Sequence, residues 1–307
     1  MAAKLWEDTV VTALRDAQWM NCKGHALPQT FPPGFVKLDG NAESALGDLL
    51  YSSGERYYLI EVKSGRPDIS SEWIDSDGKY KPKKIYSSLT FLWKELEKAS
   101  SQKNDPDTGF YRNAILQSAA CHYFSYWNEW TLGNIATGEV VVEPYIAACL
   151  DLLDLKLAPN KFGIRPWNNN NFLLGREING EILAGKALAV QKMLSESYRG
   201  FAVAKKNGIL HTKNSYPLGL PLPQFQDYIN TLTDTAGKGE LDIHAIVLSN
   251  TGRVFKAVSS TAELRNFLTP DLLETKSPEQ KLILINQSNP SSLRSTAGKP
   301  KNGSSKS

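Results

Sequence analysis

The sequence predicts an α/β fold, a mixed central sheet flanked by helices, with an α+β elaboration in the C-terminal half. Three observations carry this. An amphipathic pattern opens the chain, a hairpin pattern follows at Ser44–Gly65, and the elements up to residue 150 run in the order helix, strand, hairpin, helix, strand, which is αβββαβ.

The first helix is expected over Lys4–Gln18, where Trp6, Val10, Ala13, Leu14 and Ala17 recur at helical spacing. A Pro- and Gly-rich stretch, His25–Gly34, separates it from a short strand at Phe35–Leu38. The hairpin SALGDLLYSSGERYYLIEVKSG turns at Ser53-Gly54-Glu55. Alternation from Tyr57 sends Tyr58, Ile60 and Val62 to one face, and Leu59, Glu61 and Lys63 to the other. A polar, basic insertion spans Ser64–Gly109 and contains a helix at Leu89–Leu96. A strong helix is expected over Phe110–Trp130, with small residues at its centre that allow close packing on a sheet. Glu139–Leu150 completes the first part as a strand, with Pro144 marking an edge or a bulge.

Beyond Asp151 the pattern gives an Asn-rich loop (Trp167–Asn171), a helix at Gly185–Tyr198 and a Pro-rich turn at Tyr216–Pro223. A helix at Gln224–Leu232, a hairpin at Ile243–Val258, a helix capped by Ser260 or Thr261 and a last strand at Lys281–Asn286 follow. The expected organisation is therefore a core over residues 1–150, an elaboration or second domain over 151–287 and a disordered, weakly basic tail over 288–307.

The chemistry concentrates on the hairpin. Glu61 and Lys63 stand two apart on one strand, so their side chains leave the same face within reach of one small ligand. Folding about the turn brings Asp48 opposite Glu61, or within one or two residues of opposite. Carboxylates repel at short range, and a divalent cation is the usual reason for two to converge. A hard ion such as Mg²⁺ takes oxygen ligands, and the neighbouring lysine orients or helps deprotonate an attacking water and offsets charge on a phosphate. Glu-x-Lys also occurs at Glu274-Thr275-Lys276 and Glu279-Gln280-Lys281, in polar surroundings where a solvated pair suffices. Glu61-Val62-Lys63 differs because an apolar strand runs into it and Gly47-Asp48 precedes it by a hairpin's length. Glu43 is either an alternative site acid or a solvated loop residue.

Gly47-Asp48 and Glu61-Val62-Lys63 resemble the PD-(D/E)XK nuclease superfamily, the restriction-endonuclease-like fold, with Gly where the namesake motif has Pro. The resemblance implies a Mg²⁺-dependent phosphodiesterase, with Mn²⁺ as a possible substitute, in which Asp48 and Glu61 bind the metal and Lys63 assists the water. It further implies a supporting role for Glu7 on the first helix, where dipole compensation is the competing explanation, and for Gln117 on the later helix, which otherwise reads as a surface glutamine. Lys79, Lys81, Lys83 and Lys84 are interleaved with Trp73, Tyr80, Ile85 and Tyr86, a composition that grips a phosphate backbone and stacks on bases. The expected activity is that of a DNA endonuclease of restriction or phage-defence type, with DNA preferred over RNA and a homodimer or partner subunit possible. The rival is a non-catalytic nucleic-acid- or protein-binding module on the same fold.

Composition narrows the setting. A formal charge of +3 over 307 residues is too mild to point to nucleic acid unaided. Three cysteines are too few and scattered for a disulfide framework, and four histidines show no zinc spacing, so a reducing, cytoplasmic setting is expected. No apolar run approaches the roughly 20 residues needed to span a bilayer, and Glu7 and Asp8 interrupt any signal peptide.

Overall fold

The computed structural model describes residues 6–23, 35–38, 47–53, 56–102, 105–149, 170–206, 209–235, 242–248 and 254–260. All fall within the unit Met1–Leu268; the expected strand at Lys281–Asn286 and the tail belong to the unit Thr269–Ser307 and lie outside the described residues. Glu43 and the helix expected after Ser260 also lie outside the described residues.

Helix α1 (Glu7–Lys23) opens with Glu7 and Asp8, whose charges suit the positive end of a helix. Its apolar face is Val10, Leu14 and Ala17, all buried, whereas Trp6, expected on that face, precedes the helix and is 81% exposed. Strand β1 (Phe35–Lys37) pairs antiparallel with β2 (Leu49–Ser53), and β2 pairs with β3 (Arg56–Gly65) in the expected hairpin. Its register sets Leu49 against Ile60, Tyr51 against Tyr58 and Ser53 against Arg56. The Tyr51 and Tyr58 rings meet edge-on at 6.1 Å.

β3 is buried on both faces. Tyr58, Ile60 and Val62 join the α1 core, while Leu59, Glu61 and Lys63 are buried on the other side. A 3₁₀ helix (Arg66–Glu72), α2 (Lys84–Ser101) and α3 (Thr108–Cys121) then carry the chain to β4 (His122–Leu132), which lies parallel to β3 with Ile60 against Tyr123. Parallel neighbours require such a crossover. β5 (Ile135–Pro144) returns antiparallel to β4, and the sheet closes on β8 (Leu188–Ala189), giving the order β1-β2-β3-β4-β5-β8. The protein is therefore α/β, with a mixed sheet flanked by helices.

Two expectations fail at the centre of this sheet. The helix expected over Phe110–Trp130 ends at Cys121, and the aromatic run His122-Tyr-Phe-Ser-Tyr-Trp becomes β4. Tyr123, Phe124, Ser125 and Tyr126 are all buried, so the first half of this strand is covered on both faces and shows no alternation to separate it from a helix, whereas residues 128–132 are exposed. The strand expected at Glu139–Leu150 is β5, displaced toward the N-terminus; it stops at Pro144, and residues 145–149 are helical.

In the C-terminal half, β6 (Asn170–Ile178), β7 (Glu181–Gly185), β9 (Arg199–Lys206) and β10 (Ile209–Pro217) form an antiparallel sheet in the order β10-β9-β6-β7 that the sequence did not announce. The helix expected at Gly185–Tyr198 shrinks to α4 (Val190–Met193) beside β8. Helix α5 (Leu222–Thr235) contains the expected helix and packs on α2, α3 and β3. The hairpin of β11 (Asp242–Leu248) and β12 (Val254–Ser260) matches expectation. Leu220 exchanges backbone hydrogen bonds with Tyr57 at 2.9 and 3.1 Å, which ties the start of α5 to β3. Among the described residues, no helix is long and apolar enough to cross a membrane.

Candidate functional site

The register that opposes Leu49 to Ile60 brings Asp48, the residue before β2, alongside Glu61. Asp48 turns inward: its Oδ2 accepts a hydrogen bond from the Val62 N–H at 2.6 Å, and its carbonyl accepts one from Leu38 N–H at 2.8 Å. Gly47 enables the approach. It adopts φ +101°, a left-handed conformation that only glycine takes cheaply, and its Cα faces Glu61 so that an added Cβ would lie 3.5 Å from Oε2.

Glu61 is fully buried, and its two oxygens have different surroundings. Oε1 receives the Lys63 ammonium at 2.7 Å and the Lys83 ammonium at 2.6 Å. Oε2, on the Gly47 side, has no hydrogen-bond partner. An unsatisfied buried acceptor costs about 1–3 kcal/mol, so this oxygen is a natural place for a proton or a cation.

A third acid belongs to the cluster and was not recognised in the sequence. Glu72, at the end of the 3₁₀ helix, places Oε1 2.8 Å from Lys63 Nζ and 3.0 Å from Lys83 Nζ. Its Oε2 accepts the Tyr145 hydroxyl at 2.8 Å. Tyr145 is buried, stacked on Phe124 at 4.4 Å and tilted against His122 at 4.6 Å. Lys83 reaches the cluster because residues 75–78 fold the chain back. Gly78 N–H donates to Asp75 O, Asp75 Oδ1 accepts the N–H of Asp77 and Lys79, and Lys83 N–H donates to Glu72 O at 2.8 Å. Asp-Ser-Asp-Gly is a turn signature legible in the sequence, although it does not reveal which acid the returning lysine will meet.

Burial pushes the Glu61 carboxyl well above the ordinary range, and the charges of Asp48 and Glu72 add to the effect against the pull of the two lysines. Burial also opposes ionisation of Glu72, but Lys63 and Lys83 outweigh it and hold that carboxyl down to about 2. Both ammonium groups are disfavoured by burial, and the two glutamates more than restore them, so Lys63 and Lys83 titrate above an ordinary lysine. Since Oε1 of Glu61 is committed to two ammonium groups, a proton on Glu61 resides on Oε2.

Glu7 is exposed on α1, and the charges acting on Glu61 are Asp48, Glu72, Lys63 and Lys83. Gln117 is buried on α3 and is not the surface residue it resembles. The basic insertion divides: Lys79 and Lys81 are exposed, Lys84 opens α2 half-buried, and Lys83 is drawn into the acids. Trp73, Ile85 and Tyr86 are core residues, with Trp73 and Tyr86 rings 5.3 Å apart, so of the aromatic and apolar residues interleaved with these lysines Tyr80 alone presents a large exposed face.

Among the described residues, no group of three or more His, Cys, Asp or Glu side chains is arranged to enclose a metal ion. The orphaned Glu61 Oε2 beside Asp48 nevertheless fits a hard cation that takes few protein oxygens and completes its shell with water and phosphate, the habit of Mg²⁺. No protein-family model, no curated protein and no solved structure matches the chain.

Proposed function

We propose that the chain is a Mg²⁺-dependent nuclease on a restriction-endonuclease-like core, with DNA as its substrate and a restriction or phage-defence endonuclease as its natural role. The observation that carries this reading is the meeting of Asp48, Glu61 and Lys63 at one end of the β2–β3 hairpin, with an unpartnered carboxylate oxygen of Glu61 facing Gly47. The order α1-β1-β2-β3-α2-α3-β4, a three-strand run followed by a helical crossover to a strand parallel to β3, supports it. Exposed Lys79 and Lys81 supply a phosphate-binding surface on the same insertion.

In this reading Asp48 and Glu61 Oε2 would hold the cation, which would supply Lewis acidity when bound. Lys63 contributes positive charge. Its ammonium is stabilised in the protonated form by Glu61 and Glu72, so it orients water and offsets charge developing on the phosphate and does not take up a proton. Lys83, with 27% of its side chain exposed against 6% for Lys63, is the cation of the cluster nearer to solvent, and Glu61 and Glu72 hold its ammonium.

One feature favours the non-catalytic alternative. Glu61 and Glu72 are neutralised by two lysines in a buried ring of alternating charge, as in a structural ion-pair network. Incubating the purified protein with plasmid, linear DNA and RNA, with and without Mg²⁺ or Mn²⁺, separates the two. Metal-dependent cleavage that disappears in Glu61→Gln supports the nuclease; binding without cleavage under every condition supports the module.

A further inference from the structure

The charged ring has a member that the two-acid, one-lysine description leaves without a task. Glu72 is fully buried, arrives from a separate 3₁₀ helix and touches both ammonium groups through one oxygen while Tyr145 fixes the other. We propose that Glu72 is a positioning residue, anchored by Tyr145, that holds the ammonium groups of Lys63 and Lys83 in place for the hydrolysis assigned to this site. The inference rests on the nuclease reading and adds to it a second acid–lysine pair.

Geometry is the reason. Lys63 Nζ lies between Glu61 Oε1 at 2.7 Å and Glu72 Oε1 at 2.8 Å, and Lys83 Nζ lies between the same oxygens at 2.6 and 3.0 Å. Without Glu72, both flexible lysines would have Glu61 as their one carboxylate in the ring. Two cations would then crowd the residue whose other oxygen is needed for the metal. With Glu72 present, each lysine is suspended between two acids, which restricts side chains that are otherwise among the most mobile. Tyr145 gives the post its rigidity, because its ring is packed between Phe124 and His122 and its hydroxyl is directed at Glu72 Oε2.

The test compares the full chain with Glu72→Gln and Tyr145→Phe; the second removes a single hydroxyl and keeps the packing. Reductive methylation followed by mass spectrometry reads the mobility of Lys63 and Lys83 without any need for activity, and steady-state cleavage and Mg²⁺ calorimetry read the site. In Glu72→Gln, methylation at Lys83 should accelerate several-fold and kcat should fall about 10²-fold, with Tyr145→Phe nearer to tenfold, as for residues that orient functional groups. KM and Mg²⁺ affinity should stay within about threefold, the signature of a transition-state effect. Unchanged labelling or unchanged kcat in both variants overturns the proposal, as does a loss in which kcat, KM, metal affinity and melting temperature decline together. If Glu72→Gln fails to fold, Tyr145→Phe decides. A wild-type protein that cleaves nothing sinks the nuclease reading and the catalytic task of Glu72 with it, and the labelling rates then tell whether Glu72 still holds the lysines as a structural post.

Discussion

Lys83 Nζ lies 2.6 Å from Glu61 Oε1, although 22 positions of chain separate the two residues. A lysine that belongs by sequence to an exposed basic loop is thereby a member of the buried charge ring, and Lys83 and its neighbours should respond differently to substitution.

Replacing Lys79 and Lys81 with alanine should weaken nucleic-acid binding and lower the slope of log affinity against log salt by about 0.9 for each phosphate no longer neutralised. Turnover at saturating substrate should survive. Lys83→Ala should do the reverse, cutting turnover with little change in slope, because its ammonium engages Glu61 and Glu72. Salt-titrated binding beside single-turnover cleavage reads both, and equal slopes in the double variant and the wild type would dismiss the exposed lysines.

Asp48→Asn, Glu61→Gln and Lys63→Met should each reduce cleavage by about 10²-fold or more, the scale of removing one electrostatic group from an active site. The acids should also lose Mg²⁺ affinity, whereas Lys63→Met should bind the ion nearly as before. Asparagine keeps an acceptor for the Val62 N–H, so Asp48→Asn should remain folded. Calorimetry with Mg²⁺ distinguishes the groups; Glu61→Gln that binds the ion normally would move the metal away from this carboxylate.

His122 makes stability depend on pH in a defined window. It is buried with Nδ1 2.8 Å from the Tyr228 hydroxyl, and burial depresses its pKa to about 3 against a weaker upward pull from Glu72. Below about pH 6.5 the unfolded chain takes up a proton that the folded chain refuses, so the neutral histidine's contribution is complete above 6.5 and shrinks as pH falls toward 3. Glu72, held at about 2, loses its contribution only as pH falls below the ordinary glutamate value, and Glu61, raised, changes in the opposite sense over the range above it. The difference in urea-unfolding free energy between wild type and His122→Asn isolates the histidine, since both acids are present in each. It should decline by about 1.4 kcal/mol per pH unit below 6.5. A constant difference between pH 7 and 5 would mean that His122 protonates in the folded state.

Gly175→Ala should destabilise the second sheet without touching the site. A Cβ at this position would lie 2.1 Å from the Leu183 carbonyl oxygen and 2.5 Å from Ala184 Cα, both backbone atoms of β7 that cannot step aside. The cost should be about 1–3 kcal/mol, visible as a melting temperature several degrees lower. An unaltered melting curve would show that β6 and β7 separate at little cost.

Local stereochemistry made a good part of the fold legible. Alternation and a turn at Ser53-Gly54-Glu55 brought Asp48 opposite Glu61 to within one or two residues, and the register that sets Leu49 against Ile60 came from the tertiary structure. The sequence pattern found α1, α2 and α5 and the part of α3 up to Cys121, and a turn signature found the β11–β12 hairpin. The β4 strand stayed hidden because residues covered on both faces have no polar side to keep time with, and the strands of the second sheet lacked a run distinctive enough to separate them from loop or helix.

By itself the sequence determined the hairpin and its Asp48, Glu61 and Lys63, because steric alternation and turn geometry act over a few residues. Only the tertiary structure decided that Glu72, Lys83 and Tyr145 join Glu61 and Lys63 in one buried cluster, and that Glu61 keeps one oxygen without a hydrogen-bond partner. The reason is physical. A charged side chain on a loop gains little from any one neighbour while water is available, and its partner is chosen only when the crossover packs over β3, excludes that water and leaves Glu61 and Glu72 in need of cations.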